Sequence, residues 1–190
     1  MLEENYDLLT PDTVMDAVES LGFRSDARIL ALNSYENRVY QVGLEDDQPV
    51  IAKFYRPLRW SNEQILEEHQ FTQALVDIDV PVVPPSIFDG QTLHEHRGYR
   101  FALYPRRGGQ APSLDNGDHL EILGRFLGRV HNLGKAITFT HRPNLDIDSF
   151  GIASREFLLS NDFIPNELRP AYETITADLL ERTTTLFNTI

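Results

Sequence analysis

The stretch Val50-Ile-Ala-Lys-Phe-Tyr55 is typical of a β-strand, and it carries a lysine among apolar neighbours. Alternation along a strand places Ile51, Lys53 and Tyr55 on one face. A lysine in such surroundings costs free energy unless its ammonium group meets an anion. Alternatively, Lys53 lies on an edge strand and its ammonium group reaches water along the apolar stem. This stretch alone leaves both interpretations open.

A helix is predicted shortly after this strand, from Ser61 to Val76, with Ser61 as its N-cap. At about 100° per residue, Glu68 falls in the same arc as the apolar side chains of the helix, and Glu67 falls at the edge of that arc. An acid on the inward face of a helix that follows a buried lysine predicts a Lys53–Glu68 ion pair. In the alternative interpretation, both glutamates are solvated and contribute only helix propensity.

Four further strands are predicted, two before and two after this strand–helix pair: Arg28–Leu32, Arg38–Leu44, Ser86–Phe88 and Tyr99–Tyr104. The proline-rich segment Asp77–Pro85 cannot form a central strand. A first helix, Thr10–Leu21, is expected to cap the sheet rather than pair with it, and Gly22 is its stop. We therefore predict an α+β fold with a five-stranded antiparallel sheet.

The segment Pro105–Pro112 is rich in glycine, proline and arginine, and it separates a mostly β region from a mostly α region. We expect an N-lobe over residues 1–104, a hinge or linker over 105–112 and a partial helical C-lobe over 113–190. The predicted helices of the C-lobe are Asp118–Leu133, Arg155–Leu159 and Asn166–Ile190.

The first of these C-lobe helices has apolar residues at core spacing: Leu120, Leu123, Leu127 and Val130. Gly134 is its predicted stop. Gly124 and Gly128 each cost about 1 kcal/mol in a helix interior, so they predict close packing against a neighbour. His131 falls on the same apolar side and is expected to be a structural histidine.

Two loops carry candidate ligand-binding residues. The loop of residues 33–37 contains no glycine, but Ser34 and Asn37 can offer hydrogen-bond donors to phosphate oxygens at a tight turn. The segment of residues 104–109 follows an apolar strand, and a flat heteroaromatic base can bind to backbone groups exposed there. The structural alternatives are an ordinary turn and a plain linker in which Arg106 and Arg107 are solvated.

The amino-acid composition disfavours several classes of partner and of chemistry. Among 190 residues, 29 are acidic and 17 basic, and the formal net charge is −12, which disfavours nucleic acid and anionic membranes as partners. We see no secretory signal and no apolar run near the roughly 20 residues of a membrane span. The absence of cysteine excludes disulfides and thiol nucleophiles. Lys53 and Lys135 are the only lysines.

Four stretches together resemble the front half of the protein-kinase-like phosphotransferases of the aminoglycoside-phosphotransferase and choline-kinase type. They are Asn33–Gln41, Ala52–Pro57, Gln64–Phe71 and Leu123–His131. Within that family they are most similar to bacterial serine/threonine protein kinases that act in stress response. The resemblance implies a two-lobed fold, of which this chain holds the N-lobe and the first helices of the C-lobe.

The resemblance also implies roles for residues. Ser34, in the same loop as Asn37, and Lys53 would contact ATP, and Glu68 would orient Lys53. The segment from Tyr104 to Arg106 would border the adenine. His131 corresponds to a histidine that ends the long helix in the family.

The activity implied by the resemblance is transfer of a phosphoryl group from ATP, with Mg²⁺, to a serine or threonine of a protein substrate. The implied protein is cytoplasmic and, at full length, monomeric. One alternative is a small-molecule kinase of the same fold, acting on an aminoglycoside, choline or a homoserine-like alcohol. Another is a non-catalytic nucleotide-binding remnant.

The sequence departs from the family at the catalytic loop. No His-Gly-Asp followed five residues later by Asn occurs in it, and the later metal-binding Asp is also missing. His141-Arg-Pro143 has proline where the acid belongs, and Ile51 stands where many kinases have a smaller alanine. We therefore expect neither catalytic nor metal-binding residues in this chain. We expect the 190 residues to be the N-terminal part of a longer kinase and inactive alone.

Overall fold

The structure, a computed structural model, describes residues 6–187 and 189. The chain divides into two compact units, Met1–Arg142 and Pro143–Ile190. The lobe boundaries expected from the sequence, with a linker over 105–112, stay a prediction.

The first unit is built on a five-stranded antiparallel sheet, which confirms the predicted α+β class. The strands follow the order β1-β2-β3-β5-β4, so β3 is the central strand. Their bounds are β1 Ser25–Leu32, β2 Arg38–Leu44, β3 Val50–Phe54, β4 His94–His96 and β5 Tyr99–Pro105.

The position of the fourth strand was predicted wrongly. Residues 86–88, expected to pair in the sheet, contribute only an isolated bridge between Phe88 and Gln91. The edge strand is His94–His96 instead, and it pairs with β5 across a two-residue turn. Both turn residues, Arg97 and Gly98, have positive φ angles, of 49° and 83°. This is the backbone that a tight hairpin needs.

Two helices pack against opposite faces of the sheet. Helix α1, Pro11–Glu19, begins at Thr10, whose side chain accepts a hydrogen bond from the backbone N–H of Thr13. Its buried residues join the larger core with one face of the sheet, in which Ala52, Phe54, Phe101 and Leu103 are buried. Helix α2, Asn62–Asp77, has a complete capping box between Ser61 and Gln64. Its Ile65 packs with Tyr55 and Ala102 in a second, smaller core.

Helix α3, Gly117–Ala136, runs past Gly134, so that glycine is not the stop that was predicted. The expected burial of its apolar face is also wrong, because none of its twenty residues, all of them described, is buried. A side chain at Gly124 or Gly128 would meet nothing within 4 Å in the described structure, so close packing does not explain these glycines. His131 is exposed rather than structural. Arg129 ties the helix to the carbonyl groups of residues 78 and 79, just after α2.

The second unit is helical. A π-helical turn, Asp148–Ile152, leads directly into α4, Ala153–Ser160, and α5 spans Arg169–Phe187. The two helices are joined by Arg155, whose Nε lies 2.8 Å from Thr176 Oγ1. The predicted continuation of the last helix to Ile190 falls partly on residues 188 and 190, which lie outside the described residues. Among the residues that the structure describes, no helix is both long and apolar enough to cross a membrane.

Candidate functional site

The lysine of the central strand forms the predicted ion pair. Lys53 Nζ lies 2.7 Å from Glu68 Oε1. Lys53 stands between Val39 of β2 and Ala102 of β5, so the interpretation as an edge-strand lysine is wrong. The side chains of Lys53 and Glu68 are 20% and 35% exposed, so the ion pair is partly accessible to solvent. The Nζ atom also lies 4.7 Å from the centroid of the Tyr55 ring.

The second oxygen of Glu68 has a second cationic partner. Arg142 Nη1 lies 2.8 Å from Glu68 Oε2, so one carboxylate bridges a lysine and an arginine. Burial alone would raise the pKa of Glu68, but the hydrogen bonds and charges of Lys53 and Arg142 outweigh it and lower the pKa below its usual value. The Arg142 guanidinium also stacks over the Trp60 ring, 4.6 Å from its centroid.

Glu67 accepts hydrogen bonds from three successive backbone N–H groups. The N–H of Thr140 is 2.5 Å from Oε1, that of Arg142 is 2.8 Å from Oε2, and that of His141 reaches both oxygens at 3.2–3.3 Å. Desolvation would raise the pKa of Glu67, yet these donors lower it. The interpretation of both glutamates as merely solvated is therefore wrong.

A row of hydrogen-bonded side chains runs beside the ion pair. The Tyr55 hydroxyl lies 2.6 Å from His69 Nε2 and 3.2 Å from the Tyr104 hydroxyl, and His69 Nδ1 lies 2.8 Å from Thr92 Oγ1. Burial raises the pKa of both tyrosines, that of Tyr104 to about 12.

The loop between β1 and β2 is closed by its own side chains. Ser34 Oγ donates to the carbonyl of Asn37 at 2.8 Å, and Asn37 Oδ1 accepts from the backbone N–H of Arg56 at 3.4 Å. Ser34 is exposed and Asn37 is half-buried. Both residues thus lie next to the start of β2, whose Val39 pairs with Lys53.

Arg106 follows β5 and donates from Nε to Gln41 Oε1 at 2.9 Å. Gln41 pairs with Ile51, which pairs in turn with Tyr104. Tyr104, Ile51 and Lys53 therefore share one face of the sheet. The structure places Lys53, Glu68 and Tyr104 together on that face, and it places Arg106 on an exposed contact with β2.

Neither Arg142 nor the docking role of Glu67 was predicted from the sequence. Arg142 follows Glu68 by 74 positions in an irregular segment, so no helical or strand periodicity relates the two. The hydrogen bond between Tyr55 and His69 was not predicted either, although both residues occur in stretches that resemble the family. A histidine one position after Glu68, on the apolar arc of α2, was the available signal.

No group of three or more His, Asp or Glu side chains within residues 6–187 and 189 is arranged to hold a metal ion.

Comparison with known proteins identifies the family of the chain. The model of the APH family, described as a phosphotransferase enzyme family, matches residues 28–179. The chain belongs to this family. The predicted family membership is confirmed.

Curated relatives are similar over nearly the whole chain. Stress response kinase A of Escherichia coli strain K12 is 44% identical over 179 residues, which are 94% of this chain and 55% of the relative. A Salmonella typhimurium relative named serine/threonine protein kinase RdoA is 42% identical over 184 residues, 97% of this chain and 56% of the relative. The chain thus spans about half the length of the curated relatives it matches.

A solved structure shares the fold. The amicoumacin kinase hAmiN, solved in complex with AMP-PNP, Ca²⁺ and Ami, superposes with a TM-score of 0.58 at 18% sequence identity. The match covers 78% of this chain and 52% of that protein. At this identity the likeness concerns the fold alone.

Proposed function

We propose that this chain carries the nucleotide-binding part of a cytoplasmic, ATP-dependent serine/threonine protein kinase that acts in stress response. The observation that carries the proposal is the Lys53–Glu68 pair, at 2.7 Å, on the central strand and the adjacent helix of a phosphotransferase-family chain. An ammonium group held in this way is poised to bind the phosphate oxygens of ATP.

The other candidate residues are given roles by the same proposal. In the proposal, the loop with Ser34 and Asn37 covers the phosphates, and the segment from Tyr104 to Arg106 borders the adenine. Bound Mg²⁺ would neutralise charge on the phosphates, and its ligands are expected outside the described residues.

The names of the relatives support the proposed substrate class. Their names, at 42–44% identity, favour a protein serine or threonine as the acceptor. A small-molecule alcohol is the second candidate, because the fold is also that of a kinase named for amicoumacin. The much higher identity to the named protein kinases favours the first.

Titration of ATP and adenosine into the wild-type chain tests nucleotide binding at Lys53. Only ATP brings an anionic partner for the ammonium group, so Lys53→Ala should weaken ATP about tenfold to a hundredfold and leave adenosine nearly unchanged. Lys53→Arg should rescue poorly, because a planar guanidinium is larger than the ammonium group.

Lys135→Ala is the matched control, because Lys135 is exposed in the last turn of α3 and should not affect nucleotide binding. Equal losses of ATP and adenosine on Lys53→Ala, or wild-type protein that does not bind ATP, would contradict the proposal.

A further inference from the structure

We propose that Arg142 is a positioning residue, which holds Glu68 in the orientation that pairs it with Lys53. Arg142 belongs to residues 139–142, here called the clamp segment, which is docked along α2. The inference rests on the proposed function only for its consequence in nucleotide binding. The positioning itself concerns contacts within the first unit.

The clamp segment contacts one face of α2. Gln64, Glu67, Glu68 and Phe71 follow at intervals of three, one and three residues, so all four project from the same side of the helix. Gln64 Nε2 donates to the His141 carbonyl at 2.9 Å, and the Phe71 and Phe139 ring centroids are 5.2 Å apart. With the contacts of Glu67 and Glu68, this face is engaged over two helical turns.

Glu67 fixes the height and rotation of α2 against the clamp segment. Three consecutive backbone N–H groups converge on its carboxylate, and such donors satisfy an anion without any side-chain cation. A rotation of α2 that moved Glu68 away from Lys53 would also break these bonds. The clamp segment thus restrains the helix, and Arg142 acts at its end.

Arg142 restrains the Glu68 carboxylate directly. Its guanidinium is planar and is itself held by stacking on Trp60, the residue before the N-cap of α2. Because Arg142 Nη1 is hydrogen-bonded to Oε2 of Glu68, the other carboxylate oxygen, Oε1, faces Lys53. A lysine alone is a flexible point charge and does not orient a carboxylate in this way.

Arg142 also changes the charge balance at the pair. Lys53, Arg142 and Glu68 together carry one net positive charge, whereas Lys53 and Glu68 alone would carry none. The second cation compensates the glutamate, so the ammonium group keeps charge available for an anionic ligand. We infer that this three-membered cluster, rather than the isolated pair, is the unit that would meet a phosphate.

The presence of only two lysines makes a direct test possible without any nucleotide. An amine-acylating reagent modifies Lys53 and Lys135, and mass spectrometry of peptides gives a separate rate for each. A paired ammonium group reacts slowly, because it must leave the carboxylate and lose a proton to water before the free amine can attack the reagent. We expect Arg142→Ala to raise the rate at Lys53 about two- to fivefold, the range that a partly exposed ion pair supports. The rate at Lys135 should not change.

Three variants make the test specific. Arg125→Ala removes a guanidinium that pairs with Glu121 on the surface of α3, and it should leave Lys53 unchanged. Arg142→Lys keeps the charge and should restore part of the protection. In a Glu68→Gln background, where Lys53 has already lost its partner carboxylate, Arg142→Ala should have no further effect.

Each other outcome overturns the inference. A lower rate at Lys53 in Arg142→Ala would show that Arg142 competes with Lys53 for Glu68, and an unchanged rate would show that it has no influence. A rise of the same size in the Glu68→Gln background would indicate simple steric opening. A parallel rise at Lys135 would indicate a general loss of the fold. Because no nucleotide is present, these results are independent of whether the chain binds ATP.

Discussion

The Tyr55 hydroxyl lies 2.6 Å from Nε2 of His69, and this contact joins the end of the central strand to the buried face of α2. His69 is 4% exposed, and its other ring nitrogen lies 2.8 Å from Thr92 Oγ1. Burial lowers the pKa of His69 from 6.5 to about 4. The neutral ring is therefore part of the folded structure, and it sits one residue from the glutamate that pairs with Lys53.

Stability should consequently depend on pH through His69. The unfolded chain binds a proton on this histidine near pH 6.5, whereas the folded chain does so only near pH 4. The free energy of unfolding should therefore fall as the pH is lowered from 6.5 to 4, by at most about 3 kcal/mol. Urea denaturation at several pH values measures this change.

His69→Asn should reduce the pH dependence over this range, and His131→Asn, at an exposed position of α3, should preserve it. The part that remains in His69→Asn comes from His94, whose pKa is lowered by burial, and from Glu67 and Glu68, whose pKa values are also lowered. A profile for His69→Asn that is as steep as that of the wild type would contradict the assignment.

Removal of the Tyr55 hydroxyl should be more costly than removal of the Tyr104 hydroxyl. Tyr55→Phe leaves a buried nitrogen of His69 without its partner, which costs about 1–3 kcal/mol of unfolding free energy. The Tyr104 hydroxyl makes the longer contact, at 3.2 Å from the Tyr55 hydroxyl, and Tyr104 is only half-buried. Tyr104→Phe should therefore lower the free energy of unfolding by about 0.5–1.5 kcal/mol. Thermal or chemical denaturation compares the two. Equal losses would show that the His69 contact is not the dominant one.

Local patterns predicted most of the first unit. Alternation and turn residues placed four strands within a few residues of their bounds, and the Ser61 cap placed the start of α2. The edge strand was missed because His94–His96 has only three residues and no apolar alternation. The apolar spacing of α3 predicts a buried face, but burial depends on a neighbour that the helix sequence does not specify.

The candidate site was predictable where it depends on periodicity. The helical periodicity of α2 placed Glu68 on the side that faces Lys53, and the structure contains this ion pair. Arg142 and the backbone donors to Glu67 come from an irregular segment more than 70 positions later, and only the tertiary fold brings them to α2. The roles of Ser34, Asn37, Tyr104 and Arg106 toward a nucleotide stay predictions.

The hairpin between β4 and β5 should depend on the backbone of its second turn residue. Gly98 has a φ of 83°, where a Cβ atom is strained, so Gly98→Ala should destabilise the first unit by about 1 kcal/mol or more. Gly108→Ala is the matched control, because a side chain there would meet nothing within 4 Å and its φ is not in the strained range. Denaturation midpoints measure both variants, and similar losses would argue against turn strain.

The purified 190-residue chain should transfer no phosphate above background. Its sequence lacks the His-Gly-Asp loop of the family, so we expect it to supply neither a base for the acceptor hydroxyl nor ligands for Mg²⁺. Incubation with γ-labelled ATP, Mg²⁺ and a generic protein substrate tests this, with a Lys53→Ala preparation as the control for contaminating kinases. Label transfer that is present in the wild type and lost in Lys53→Ala would refute the prediction.

The closure of the β1–β2 loop by Ser34 limits how that loop can receive an anion. A hydroxyl has a single proton, and in this structure Ser34 gives it to the carbonyl of Asn37. Phosphate oxygens accept hydrogen bonds, so Ser34 can bind one only after releasing Asn37. Binding of a phosphate by Ser34 then exchanges one hydrogen-bond acceptor for another. The gain in binding free energy is smaller than that of a new hydrogen bond. A phosphate ligand must therefore displace the Ser34–Asn37 hydrogen bond before the Ser34 hydroxyl can bind it.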